Sequence, residues 1–426
     1  MKYIKVSVII IVFVLFGFIV LTYISVSSTS NTFKTCEILE ESILSDIDFK
    51  NHDSVLVSAS TLYDSNSIKR IMQGQQYRNA WRTPVKFPII YLDTLFGGSK
   101  VIEEGGGKQT HSLKIKDTSG LIYSLRSINK DPQKLIPESF RNLGLENIIV
   151  DGISAQHPYA APVVSKLAVA VNVLHTNPKI CFLPKQKTLG NFNDKYGNRI
   201  FLLEHETEGG TNWTSFENVI GIMDTDDLQV LKKNFGKRLR INESALVRTR
   251  LFDILIGDWD RHAKQWGWIV RSENEDYIAE PLPGDRDNAF FKIEGIIPTI
   301  LSNKRILPGL QSFEKNIDNL EGLVMPFDIY FLKNVEQDVF ERQAVYLQKY
   351  MTDSAIHEAF DIWPKSIRMN DGPEIISAIK ERRSNLVEIA FAYFDILKKK
   401  AVLSEPLKGS EETDLSENLL KCFDCD

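Results

Sequence analysis

The stretch from Leu251 to Phe291 restricts the folds open to this chain more than any other, because it sets two acid clusters in a fixed order of helix, loop and hairpin. Val247, Leu251, Ile254 and Leu255 recur at i, i+4, i+7 and i+8, which predicts a helix from about Asn242 ending at Gly257, a residue suited to the position just past a helix. The loop Asp258-Trp259-Asp260-Arg261-His262 therefore leaves a rigid, buried support. Trp266, Trp268, Ile269 and Val270 predict a strand, and Tyr277 to Pro281 a second strand returning toward the loop. That return delivers Asp285-Arg286-Asp287-Asn288-Ala289-Phe290, roughly 25 residues after the first cluster.

Phosphoryl transfer asks for this order. A loop Asp orients the attacking hydroxyl, a polar residue further along the chain holds metal, and a second Asp after a hairpin bridges Mg²⁺ to the phosphates. Asp260 takes the first role, Gln265 the second and Asp285 the third, with Asp287 beside it in the metal set. Mg²⁺ keeps waters and phosphate oxygens, so two or three protein ligands suffice. Taken alone, the first cluster reads equally as a solvated loop; the hairpin spacing of the second favours a metal–phosphate site.

At these residues Ile256-Gly257-Asp258-Trp259-Asp260-Arg261-His262 resembles the IGN-x-DRH loop of the atypical kinases, the group that includes the Golgi secretory casein kinases, the HipA toxin kinases and the type II phosphatidylinositol 4-kinases. Asp285 to Phe290 is similar to their D-x-G-x-A-F segment, with Asp287 in place of the usual Gly. The resemblance implies a two-lobed α+β kinase-like fold, with an antiparallel-sheet N-lobe, a mainly helical C-lobe, and ATP with Mg²⁺ or Mn²⁺ as cofactors. It carries the catalytic role to Asp260, with Arg261 and His262 in the same motif, and the metal role to Asp285. Gln265 stands where Asn or Glu is usual, which bears on turnover more than on nucleotide binding.

The order of the preceding segments agrees. Gly105-Gly106-Gly107 lets backbone amides approach an anion closely, and Lys108 and Thr110 add donors to it, although a simple turn needs the same glycines. His111 to Lys116 and Leu121 to Ser127 alternate as a hairpin around Asp117 to Gly120. A Gly-rich loop followed by a cation on a strand is the kinase order for covering and pairing phosphates. Arg126 stands in the place of the usual Lys, with Lys130 the alternative, and Glu138 and Glu146 are the candidate partners of that cation. Ile200 to Glu204 predicts a strand leading into Thr207 to Thr211, a polar linker where a two-lobed kinase has the hinge whose backbone bonds an adenine ring, with Leu203 and Glu204 at the strand end as cofactor-binding candidates.

At the N-terminus the run from Val6 to Val26, roughly 21 residues, carries no charge and is long enough to span a bilayer. With Lys2 and Lys5 before it, the expectation is a single-pass anchor with the body on the extracytoplasmic side; the alternative is a signal removed near Ser27, giving a secreted product. A net charge of −5 with mixed signs gives no nucleic-acid signature. Four cysteines are too few for a disulfide framework, and Cys422-Phe423-Asp424-Cys425 alone lacks the ligands of a zinc site.

Beyond Phe291, Val339 to Tyr350, Ala355 to Ile362 and Glu374 to Leu397 show helical spacing, with Leu386, Ala390, Tyr393 and Leu397 on one face. The domain organisation expected is an anchor over 1–30, a juxtamembrane linker and first strand over 31–76, an N-lobe over 77–206, a C-lobe over 207–400 and an acidic flexible tail over 401–426. The bacterial-type, membrane-anchored chain so described is expected to move a phosphoryl group from ATP to a hydroxyl of a protein, lipid or small molecule. The alternatives are a nucleotide-binding pseudokinase without turnover and, on the same acids with His262, a metal-dependent phosphohydrolase.

Overall fold

An unbroken apolar run makes α1 (Lys2–Val26) the first element, long and apolar enough to cross a membrane. The structure is a computed structural model and describes residues 2–30, 33–38, 47–107, 109–305 and 307–425. Residues 3–16 of α1 are exposed on every side, whereas from Phe18 onward the helix packs on the body.

Next come β1 (Glu37–Ile38), β2 (Ser54–Ser58) and β3 (Pro84–Pro88), an antiparallel sheet in that order, with α2 (Ser67–Gln73) and α3 (Arg78–Arg82) between its last two strands. The segment expected as a linker is therefore part of the body where it is described: Cys36, Phe49, Val57 and Tyr63 lie in the main core. Their apolar side chains are spread too thinly along the sequence to show a period.

The central sheet contains β4 (Ser99–Gly105), β5 (Ser112–Asp117), β6 (Ile122–Ser127), β7 (Lys179–Leu183) and β8 (Arg199–His205), all antiparallel, in the order β4-β5-β6-β8-β7. The β5–β6 hairpin forms as the alternation predicts, and the Asp117 carboxylate accepts from the N–H groups of Ser119 and Leu121 to close its turn. Strand periodicity divides the faces. Leu113, Leu125, Phe201 and Leu203 fill a small core on one side, and Ile200 and Leu202 face the main core on the other. The crossover from β6 to β7 holds α4 (Glu138–Asn142), α5 (Glu146–Gly152) and α6 (Ala160–Ala170), and α7 (Asn193–Tyr196) precedes β8.

The remainder begins with β9 (Val219–Asp224), α8 (Thr225–Phe235), β10 (Leu239–Ile241), α9 (Glu243–Ile256), β11 (Trp266–Glu273) and β12 (Asp276–Pro283). Its four strands form a third sheet in the order β10-β12-β11-β9, parallel only between β10 and β12. Helices complete it: α10 (Ile296–Leu301), α11 (Pro326–Leu332), α12 (Gln337–Tyr350), α13 (Asp353–Phe360), α14 (Lys365–Ser384), α15 (Leu386–Lys399) and α16 (Glu417–Lys421). The chain is thus mixed α+β, an antiparallel sheet followed by a mainly helical part, behind an N-terminal apolar helix.

Two expectations need correction. The helix read over Glu374 to Leu397 is two helices that part at Asn385, and α14 begins earlier because it runs through Pro373 instead of starting after it. Leu386, Ala390, Tyr393 and Leu397 do share one face, buried in the main core. The segment read as a flexible tail is packed. Leu407 and Phe423 belong to the main core, Tyr330 Oη donates to Leu419 O (2.7 Å), and Cys422 and Cys425 form a disulfide. Phe423 lies against Tyr330 and Phe331, so this segment buries a large aromatic despite its acidic composition.

Candidate active site

α9 is the support that the sequence called for. Its start is capped by Asn242, which accepts from Ala245 N–H (3.0 Å) and donates to Glu280 (2.7 Å). Its end is Gly257 in the left-handed region (φ 71°, ψ 28°), where a side chain would collide with the ring of Phe313.

Under the loop lies a buried ionic frame. Asp253 accepts from Arg250 Nη1 (3.1 Å) and Arg286 Nε (3.1 Å) and is ion-paired with Arg261, whose Nε lies 3.2 Å away, and Arg250 also bonds Asp328 (2.6 Å). Buried ions persist where each has partners, as here. Burial alone would raise the Asp253 pKa, but the three guanidiniums outweigh it and hold the carboxylate ionised. Asp258, next to the frame, is different: neither oxygen has a hydrogen-bond partner, Arg261 is 3.7 Å away, and burial pushes the carboxyl far above its usual range.

Arg261 is fully buried and donates to Gly284 O (2.7 Å), while Gly284 N–H donates to Gln265 O (2.9 Å). These bonds fasten the first acid cluster to the start of the second. Arg261 therefore faces the interior and positions the loop of Asp260 from below. Asp260 and His262 face outward, with His262 Nε2 3.8 Å from Asp260 Oδ1. Burial, Lys408 and Arg261 push His262 down to about 4, so the imidazole is neutral at neutral pH. Burial and the neighbouring Asp285 raise the Asp260 pKa, and Lys408 and Arg261 oppose that rise.

The opposite wall comes from the central sheet. Arg126 on β6 donates from Nη1 to Asp285 Oδ2 (2.5 Å), and its Nε lies 3.5 Å from Glu204 Oε1. Lys130, just beyond the strand, bonds Asp287. Both candidate cations thus reach the second cluster, one acid each. Burial would raise the Asp285 pKa, but Arg126 and Lys130 hold it below the usual carboxylate range. Its Oδ1 is buried without a hydrogen bond of normal geometry, although the Gln265 amide is close enough to help keep the pKa low. Asp287 is pushed up by burial and by Asp285, and its bond to Lys130 makes it the weaker prospective ligand.

The partner of Arg126 was missed in the sequence. Glu138 and Glu146 sit on α4 and α5, and the glutamate that meets Arg126 is Glu204, because β6 and β8 pair with Arg126 opposite Leu202. Glu204 also accepts from Thr176 Oγ1 (2.5 Å), and burial raises its pKa to about 7 despite Arg126. β8 lies between β6 and β7, so the backbones of Leu203 and Glu204 are inside the sheet, and the linker from Thr207 follows it. Thr207, in the linker that follows, packs against the sites of Gly267 and Gly284, next to the second acid cluster.

Gly105, Gly106 and Gly107 form the turn after β4, and Gly106 (φ 128°) has no room for a side chain because Thr110 O lies against it. The turn meets the Lys130 segment through Asp131 N–H donating to Gln109 O (2.6 Å). With Thr110 it lines a cavity of about 440 Å³ that also includes His111, Asp131 and Lys195 but not the two acid clusters. Lys108 lies outside the described residues. The structure thus brings together Arg126, Lys130, Glu204, Gln265, Asp285 and Asp287, while the glycine turn lines a separate cavity.

Among the described residues no group of three or more His, Cys, Asp or Glu side chains is arranged to hold a metal ion. Asp285 and Gln265 could together offer a hard cation two oxygen ligands, since Asp285 Oδ1 is buried with only the Gln265 amide near it, and such a cation takes its other ligands from phosphate oxygens and water. Lys408 was not legible as a site residue, since it comes from the segment read as a tail; its charge acts on both Asp260 and His262.

No protein-family model matches the chain, and no curated protein matches it. Among solved structures it is similar to the proinflammatory kinase CtkA of Helicobacter pylori, at 12% identity over 67% of this chain and 94% of that one, with a TM-score of 0.34. It is also similar to HipA in its complex with HipB and operator DNA from Shewanella oneidensis MR-1, at 10% identity over 74% of this chain and 70% of that one, with a TM-score of 0.31.

Proposed function

We propose that the protein is an ATP- and Mg²⁺-dependent phosphotransferase of the atypical kinase type, acting on a hydroxyl group of a protein, lipid or small molecule. The observation that carries this reading is the convergence of Arg126 and Lys130, from and just beyond a β-strand, on Asp285 and Asp287, with the Asp260 loop fastened to the same segment through Arg261 and Gly284. Bound Mg²⁺–ATP supplies the transferable phosphoryl group and neutralises its charge. Asp285 and the Gln265 amide would hold the metal, and Arg126 would pair the phosphates. Asp260 orients the acceptor hydroxyl and takes up its proton, a task suited to a carboxylate whose pKa is raised. α1 anchors the chain in a membrane, with the body on the extracytoplasmic side.

The test separates the two acids. In the detergent-solubilised full chain, Asp285→Ala removes Mg²⁺-dependent ATP binding, whereas Asp260→Asn leaves binding nearly intact and lowers autophosphorylation by about 10² or more. Failure of the unaltered chain to bind Mg²⁺–ATP would overturn the reading. A second reading is a pseudokinase, favoured by the Arg126–Asp285 pair, which occupies one oxygen of the principal metal ligand. It predicts ATP binding with no transfer, and transfer gained by Gln265→Asn or Gln265→Glu.

A further inference from the structure

Residues 3–16 of α1 are the part free of the body, and at about 1.5 Å per residue they reach roughly 21 Å. The hydrocarbon core of a bilayer is about 30 Å thick. A helix that spans it must therefore use part of the segment from Phe18 to Val26, where one side of the helix lies against the body while Ile19, Val20, Leu21, Tyr23 and Ile24 stay exposed. Phe18 and Val26 pack with Met72 of α2, Ile148 of α5 and Ile297 of α10, and Tyr23 Oη donates to Leu143 O (2.6 Å). The same elements carry outward-facing apolar side chains: Ile71 on α2 is 62% exposed, Leu143 before α5 60%, and Ile300 on α10 55%, with Ile68 and Ile296 beside them.

We propose that this apolar collar around the base of α1 is seated in the membrane interface, so that the body meets lipid directly instead of hanging from a tether. Continuity with the apolar helix identifies the occupant as lipid: the exposed isoleucines lie on the elements that grip α1 at the depth where the free helix falls short. Cations are placed to match. Arg70, Arg141, Lys304 and Arg305 are exposed on or next to α2, α4 and α10, where they would meet phospholipid headgroups, and Glu138 is the exposed acid on α4. The inference rests on α1 crossing the bilayer and is independent of phosphoryl transfer.

The test uses the full chain in vesicles of phosphatidylcholine and phosphatidylglycerol. An environment-sensitive NBD fluorophore is attached at Ile71→Cys, Ile300→Cys or, as a control on α14, Met369→Cys; Cys36 and Cys181 are buried and Cys422 is bonded to Cys425. The collar positions should show blue-shifted emission and lose about half or more of it to brominated lipid, while position 369 stays unquenched. If the chain resists carbonate extraction and positions 71 and 300 behave like 369, the helix is an anchor and the collar is wrong. If carbonate releases the chain, α1 does not span the membrane and the collar falls with it.

Discussion

Arg126 Nη1 lies 2.5 Å from Asp285 Oδ2, so the strand cation expected to pair phosphates and the carboxylate expected to hold metal are bonded to each other. Under the proposed function, nucleotide entry would exchange this ion pair for contacts with the ligand. Arg126→Ala should therefore weaken Mg²⁺–ATP binding by roughly 1.5–3 kcal/mol, the worth of a charge-assisted contact, as read by isothermal titration. Lys130→Ala, which releases the less ionised Asp287, should weaken it less. The reverse ranking would transfer the phosphate-pairing role to Lys130.

The second prediction concerns pH. Asp260 must be deprotonated to act as a base, and its pKa lies above the ordinary carboxylate value, so transfer should fall as pH drops through that raised pKa. Lys408 opposes the rise, so Lys408→Ala should move the acid limb of the pH–rate profile to higher pH. A limb that stays in place, or moves down, would separate Lys408 from Asp260.

Glu204 gives a stability prediction of definite sign. Its folded-state pKa of about 7 lies above the ordinary glutamate value of 4.5, so the folded state binds more protons than the unfolded state between these values. Stability should decline as pH rises across that window, by an amount on the order of 1–3 kcal/mol, and level off above it. Glu204→Gln should flatten the dependence in thermal melts of the full chain.

The ionic frame under the loop predicts an asymmetry between two aspartates. Asp253→Asn leaves three buried guanidiniums undercompensated and should cost about 3–5 kcal/mol of stability. Asp258→Asn replaces a carboxyl already pushed toward its neutral form, and should cost less than about 1 kcal/mol. Chemical denaturation of both variants checks the contrast.

The local parts of this site were legible. The end of α9 at Gly257, the β11–β12 hairpin and the β5–β6 hairpin all follow from periodicity and turn residues within short windows. What escaped depends on pairing between distant segments. Nothing near Glu204 announces that β8 will lie beside β6. The frame of Arg250, Asp253, Arg286 and Asp328 joins residues from three elements whose charges look solvated in sequence. The packing of Leu407 and Phe423 was hidden by the acidic residues between them.

The base of α1 has a mechanical consequence. Ser25 accepts from Gln73, and Thr29 bonds both Lys69 and Asp151, an aspartate that also pairs with Arg78, so helix and body are joined by buried hydrogen bonds. A transmembrane helix adapts to bilayers of different thickness by tilting. Here no loose joint intervenes to absorb the rotation, and a tilt of α1 would turn the whole body. If α1 spans a membrane as proposed, the direction in which Asp260 faces would then vary with that membrane's lipid composition.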